Sequence, residues 1–263
     1  MTLLNTNHFN VIVTIARYVI IEAVRNRLFG LMFIGLIGIF GLGEFVGGLA
    51  LTETAEVQGS LVAFVMRLGA VFIISLFVIT GVVREFNEKS IEMLLALPVP
   101  RYVYYAGKLC GYLILSAVIA CIAGLPLFLY AGVGQVLLWS FSLFCELSIM
   151  TALCLFFLFT LGQATAALSA VAGFYLLARS MGSMQLISHS PIMETNTQAQ
   201  EIIRTLLDLS AGLLPDLDVF TQTGWLVYGS GGVQDLGAIG VQTLIYVGLL
   251  SAAALFDLYR RNF

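Results

Sequence analysis

The residues from Val136 to Thr160 read VLLWSFSLFCELSIMTALCLFFLFT, and the next apolar stretch, Gly162–Ile187, begins almost at once. An α-helix rises about 1.5 Å per residue, so about 20 predominantly apolar residues cross the hydrocarbon core of a bilayer. Each stretch meets that length, and the two joined end to end are too long for one crossing. Gly162-Gln163 supplies the turn. The chain is therefore expected to cross a membrane, reverse at Gly162 and cross again.

Working outward, runs of the same kind lie at Leu28–Ala50, Leu61–Val83, Tyr102–Ala131 and Leu236–Leu258. The expected fold is all-α, a polytopic membrane protein with six transmembrane helices. Composition agrees: 60% of the residues are hydrophobic, 10% are charged, and the mean hydropathy is +1.00. Soluble domains carry roughly 25% charged residues, so the bilayer must be the main solvent. The small net charge of −3 says nothing about nucleic acid, and no Lys/Arg-rich run suggests a nucleic-acid footprint, so no such partner is expected. Cys110, Cys121, Cys145 and Cys154 lie in or beside apolar runs with no C-x-x-C spacing, and His8 and His189 stand alone in sequence. No metal site is expected from them. Residues 1–9 lack a basic region, so the first apolar run is expected to stay as a membrane helix rather than be cleaved as a leader.

The whole chain, 1–263, reads as one transmembrane domain. Residues 7–27 form an amphipathic helix in the interface, with Asn10, Thr14, Arg17 and Arg25 near one stripe and Val11, Ile12, Ile15, Val19 and Ala23 on the other side. Spans one to five occupy 28–187, with a loop at 84–101. A long outside loop covers 188–235, and the last span and tail cover 236–263. An inside N-terminus puts Arg17, Arg25, Arg27, Arg84, Lys89, Arg101, Lys108, Arg260 and Arg261 on the cytoplasmic side, and leaves only Arg67, Arg179 and Arg204 in the outer half or outside. The positive-inside rule favours this orientation, with both termini cytoplasmic in an inner membrane. Within 188–235, Thr197 is expected to cap a helix over Ala199–Leu214 that stops at Pro215, and Gly229-Ser230-Gly231-Gly232 to form a turn.

The loop REFNEKSIEMLLALPVPR, Arg84–Arg101, is the densest cluster of charge in the chain. Asn87 is expected to cap a short helix that ends before Pro98, with Ile91, Leu94 and Leu95 on one side and Glu88 and Glu92 on another. Such a helix suits docking into a groove on a soluble partner. Spacing alone fits equally well a helix lying on the membrane surface.

This loop resembles that of the ABC type-2 exporter permeases, whose pattern runs acidic, x, x, x, Thr/Ser, hydrophobic, Glu, x, Leu-Leu, x, x, Pro-hydrophobic-x-Arg, then Gly-Lys. The matching positions are Glu85 or Glu88, Ser90, Ile91, Glu92, Leu94, Leu95, Pro98, Val99, Arg101, Gly107 and Lys108. Leu213–Phe220 is similar to the stretch before the last span of that family, and the expected layout agrees along nearly the whole chain. The resemblance implies that the loop is a coupling helix gripped by a separate nucleotide-binding ATPase subunit. It also implies export and a second copy of this chain or a paralogous permease. No G-x-x-x-x-G-K-[ST] phosphate loop occurs, so ATP and magnesium would sit on the partner and no cofactor in this chain. Neither G-x-S-x-G nor H-E-x-x-H occurs, and no enzymatic activity is expected here.

Gly43 and Gly47 in the first span, and Ala166, Ala170 and Gly173 in the fifth, are small residues that let backbones approach closely, between subunits or within one. Glu44, Arg67 and Arg179 are expected in the outer half of their spans and Glu146 near the midplane, where a charge requires a partner or water. Pairing of Glu44 with Arg67 or Arg179 would make either an outer gate or a static brace. Ser142, Ser148 and Thr151 are expected to help solvate Glu146. These same four charges admit a different function, an ion- or proton-coupled carrier without an ATPase. A third reading is a non-transporting assembly subunit of a membrane complex. Tyr102, Tyr104, Tyr105, Trp139 and Trp225 are expected in interfacial belts.

Overall fold

The computed structural model describes residues 8–26, 54–87, 100–188, 214–229 and 231–260, with isolated positions at 30, 34, 35, 37, 38, 41, 45, 205, 207 and 212. Among these residues the chain is helical throughout, without a strand. Helix α1 spans His8–Arg25, α2 Thr54–Asn87, α3 Arg101–Gly124, α4 Val133–Leu161, α5 Ala164–Ser188, α6 Gly224–Tyr228 and α7 Val233–Arg260. Among the described residues, five segments are long and apolar enough to cross a membrane: Gln58–Phe86, Arg101–Leu129, Val133–Leu161, Ala164–Leu186 and Gln234–Arg260. The chain is thus a helical membrane protein. The expected first span, Leu28–Ala50, falls largely outside the described residues, as does most of 188–213 with its expected cap Thr197.

Helix α4 is the hub. Its sequence is apolar on every side, the pattern of a helix surrounded by others, and it packs against α2, α3, α5 and α7. It stops where the sequence places the turn. Gly162 takes the left-handed conformation (φ 71°, ψ 0°), and its N–H returns to the Leu158 carbonyl at 2.9 Å. A residue with a Cβ is disfavoured in that conformation, and glycine ends the helix there at little steric cost. Helix α3 begins after the extended Pro100 and ends by tightening into a 3-10 turn, Leu125–Leu129. Pro126 lacks the N–H that would continue the α-helical ladder.

Hydrocarbon offers no hydrogen-bond partner, so hydroxyls must find theirs in protein. Ser75, Ser116, Ser148, Thr151 and Thr243 each donate to the carbonyl four residues back on their own helix. This arrangement corrects the expectation that Ser148 and Thr151 solvate Glu146. Ser148 is closed on Phe144, and Thr151 lies between Leu147 and the Ser116 hydroxyl.

Helix α1 lies along α3, where two glycines let the backbones meet. A Cβ on Gly107 would fall 2.7 Å from the Ile15 Cβ, and one on Gly111 would fall 3.1 Å from the Ala16 Cα. Ala16, Val19 and Ala23 are buried in this contact, while Phe9, Val13, Tyr18 and Val24 are exposed.

Two further expectations are corrected. Asn87 is itself helical, the last residue of α2, rather than an extended cap. Of the five aromatics expected at the membrane edges, only Tyr102 is exposed; Trp139, Trp225, Tyr104 and Tyr105 are buried. Trp139 points into the crowded surroundings of α4, and Tyr104 and Tyr105 are turned inward to protein partners, so these rings fill protein interior.

Candidate functional site

Two polar assemblies lie at different levels of the helix bundle, one at the end of α2 and one around the middle of α4. The first surrounds the residues on either side of 88–99. Glu85, near the end of α2, accepts a hydrogen bond from the Tyr104 hydroxyl at 2.7 Å and pairs with Lys108, both from α3. Lys108 is 4% exposed. Removing either partner of so enclosed a pair would strand the other charge, at a cost of about 3–5 kcal/mol. One residue earlier, Arg84 pairs with Glu22 of α1. Its side chain is half exposed, and such pairs contribute about 0–1 kcal/mol. On the far side of 88–99, Arg101 donates to the carbonyls of Leu258 at 2.7 Å and Tyr259 at 3.2 Å. These belong to the last turn of α7, whose carbonyls lack helical partners and favour a cation. Tyr105 adds a hydroxyl contact to Ser251 of α7 at 3.0 Å.

The two flanks of 88–99 are therefore tied to α1, α3 and α7. Glu88, Ser90, Ile91, Glu92, Leu94, Leu95, Pro98 and Val99 lie outside the described residues. Glu22 was not singled out in the sequence and Tyr104 only as an interfacial aromatic, because their partners are distant along the chain and no spacing rule connects them. Lys108 carries a signal only as the charge of the Gly-Lys pair.

The second assembly is buried around the middle of α4. Glu146 of α4 is fully enclosed. One carboxylate oxygen accepts from the Tyr175 hydroxyl of α5 at 3.0 Å, the other from the Thr221 hydroxyl at 2.7 Å. The Thr221 N–H donates to the Ser142 hydroxyl at 2.9 Å. Arg67 of α2 reaches the Thr221 carbonyl at 3.3 Å and its hydroxyl at 3.4 Å. Arg179 of α5 donates to the carbonyls of Leu217 and, at 2.9 Å, Phe220. Three helices thus converge on the turn at 217–221. Thr221 sits at φ 47°, in the left-handed region. A β-branched residue there is a genuine outlier, costing on the order of 1–3 kcal/mol, and persists only where its surroundings impose it.

The sequence expectation for these charges is corrected in part. Glu44 lies outside the described residues. Arg67 and Arg179 do converge, but on backbone carbonyls, and Glu146 joins the same assembly instead of standing apart. Irregular backbone buried at membrane depth has carbonyls that need donors, and the arginines supply them. Tyr175 and Thr221 escaped sequence reading, since neither residue type signals a partner for a buried carboxylate.

Of the small residues, Gly43 and Gly47 lie outside the described residues. On α5, Ala167, Val171, Tyr175 and Ala178 face the bundle, Ala166 and Ala170 flank that face, and Gly173 is exposed with nothing near its Cβ position. Among the described residues no cluster of His, Cys, Asp or Glu has the makings of a metal site.

No family model and no curated protein matches the chain. The functional reading rests on the residues themselves.

Proposed function

We propose that the chain is the permease subunit of an ATP-driven ABC transporter of the type-2 exporter kind, coupled through residues 88–97 to a separate ATPase. In this reading 28–50 completes a set of six spans, 84–101 and both termini face the cytoplasm, and the protein resides in the inner membrane. ATP and magnesium bind the partner, and two permeases assemble, as two copies of this chain or with a paralogue.

The observation that carries the reading is the anchoring of both flanks of 88–99. A segment that transmits force must be fixed at its roots, or a push would be absorbed locally. Glu85 ties one root to α3, Arg84 extends it to α1, and Arg101 ties the other to the end of α7. A displacement of the segment by closing ATPases would be delivered to three helices at once. Helix α3 and helix α7 both pack on the hub α4, so the bundle would respond as a whole.

The carrier alternative draws on Glu146, Glu44, Arg67 and Arg179. The engagement of both Glu146 oxygens by hydroxyls, and of both arginines by backbone carbonyls, favours a brace over an open ion site. The two readings separate on one substitution. Glu92→Lys in the full-length chain is expected to abolish co-purification of a P-loop-containing subunit while helical content by circular dichroism is unchanged. Association that survives the charge reversal would refute the coupling role.

A further inference from the structure

Between α1 and the ends of α2 and α3 lies an open groove of about 970 Å³. Its depth in the bilayer follows from the sequence. Arg84 stands at the end of the apolar run of α2, and Lys108 precedes the uninterrupted run of α3 from Leu109. Both cations stand toward the ends of their candidate spans, Gln58–Phe86 and Arg101–Leu129, the level at which basic residues meet headgroups.

The groove carries three cations, Arg25, Arg84 and Lys108, against two carboxylates, Glu22 and Glu85. The carboxylates are already engaged, Glu22 with Arg84 and Glu85 with Lys108. Arg25 has no counter-charge among the described residues, and half-exposed Arg84 keeps guanidinium N–H groups beyond the one it gives to Glu22. The surplus is positive. Beneath the groove the Tyr112 hydroxyl is buried without a hydrogen-bond partner among the described residues. It lies close to Glu22: a Cβ placed on Gly81 would be 3.2 Å from that hydroxyl and 3.5 Å from the Glu22 Oε1. A buried hydroxyl left unpaired is rare and points to a missing partner. Beside the cations, Ile21 lines the groove and Val24 continues the same exposed apolar side of α1.

We propose that this groove binds the headgroup of an anionic phospholipid, its phosphate between Arg25 and Arg84 and its acyl chains leaving past Ile21 and Val24. Basic pockets between helices at headgroup depth select anionic lipids in this way. The site depends on the groove's charges and depth and is independent of the transport reading.

The test uses the full-length chain, purified and delipidated, titrated with phosphatidylglycerol, phosphatidylcholine or inorganic phosphate and read by native mass spectrometry. Phosphatidylglycerol is expected to bind about tenfold or more tighter than phosphatidylcholine, and inorganic phosphate is not expected to displace it. Arg25→Glu should weaken phosphatidylglycerol binding at least roughly fivefold, with Arg25→Gln intermediate. Arg17→Glu, the same charge change on the same helix outside the groove, should leave it unaltered. Equal binding of the two lipids, an equal loss in Arg17→Glu, or complete displacement by inorganic phosphate would each overturn the proposal.

Discussion

Replacing Gly111 by alanine tests the way α1 is held to the bundle. A Cβ at this position would lie 2.8 Å from the Val19 Cβ and 3.1 Å from both the Ala16 Cα and the Ala16 carbonyl oxygen. Two of these atoms are backbone, so no change of rotamer relieves the contact; α1 must lift away from α3. Overpacking of this kind costs about 1–3 kcal/mol, and alanine recovers about 1 kcal/mol through its helix propensity. The net expectation is about 1–2 kcal/mol of weakened docking, because backbone atoms leave the clash little room to relax. That corresponds to roughly 5- to 30-fold faster exchange at amides protected by docking. Hydrogen–deuterium exchange by mass spectrometry should show this acceleration in the peptide covering Ala16–Ala23. Gly107→Ala meets the Ile15 side chain at 2.7 Å and the Ile12 carbonyl at 3.2 Å, and should act in the same direction. The double variant should cost less than the sum, since one lift relieves both contacts. Gly240→Ala, with nothing within 4 Å, is the control and should leave α1 unchanged. Unaltered exchange of α1 in both Gly107→Ala and Gly111→Ala would refute the close backbone packing.

Thr221→Val removes the donor to Glu146 and is expected to lower thermal stability of the purified protein by about 1–3 kcal/mol, whereas Thr221→Ser keeps the hydroxyl and should lie near wild type; equal stability of the two variants would contradict the role of the hydroxyl. Lys108→Ala and Glu85→Gln should each destabilise strongly, and the double variant should be milder than the sum by about 0.5–3 kcal/mol, as a double-mutant cycle in denaturant would reveal. Gly173→Leu meets open space within one chain and should preserve the fold. If a second permease packs there, crosslinking in membranes should show less dimer, and an unchanged dimer would remove Gly173 from that interface.

Much of the architecture was legible because the bilayer imposes simple rules. Length and apolarity alone locate α2, α3, α4, α5 and α7, and Gly162 adopts the left-handed turn that its place between two runs demands. The inward face of α1, through Val19 and Ala23, follows from helical periodicity. The polar assemblies were legible only as isolated charges. Arg67 bonds Thr221, 154 residues away, and Arg84 pairs with Glu22, 62 residues away. No local spacing encodes such contacts. The destination of the arginines also depends on a buried turn whose carbonyls need donors, a demand that arises only once the chain is folded. The tryptophans misled for a related reason. A ring at the end of an apolar run suits an interfacial belt, but Trp139 belongs to the helix on which the other four described spans pack, and the side chain is drawn inward.

The coupling role of 88–97 meets its most direct test in a photo-crosslinking residue placed at Ile91 or Leu95 and activated in intact membranes. The expected product is a covalent adduct with a P-loop-containing polypeptide, whose yield changes when ATP is added. Adducts with lipid alone, or labelling of these positions by a membrane-impermeant reagent from the side opposite the ATPase, would contradict it.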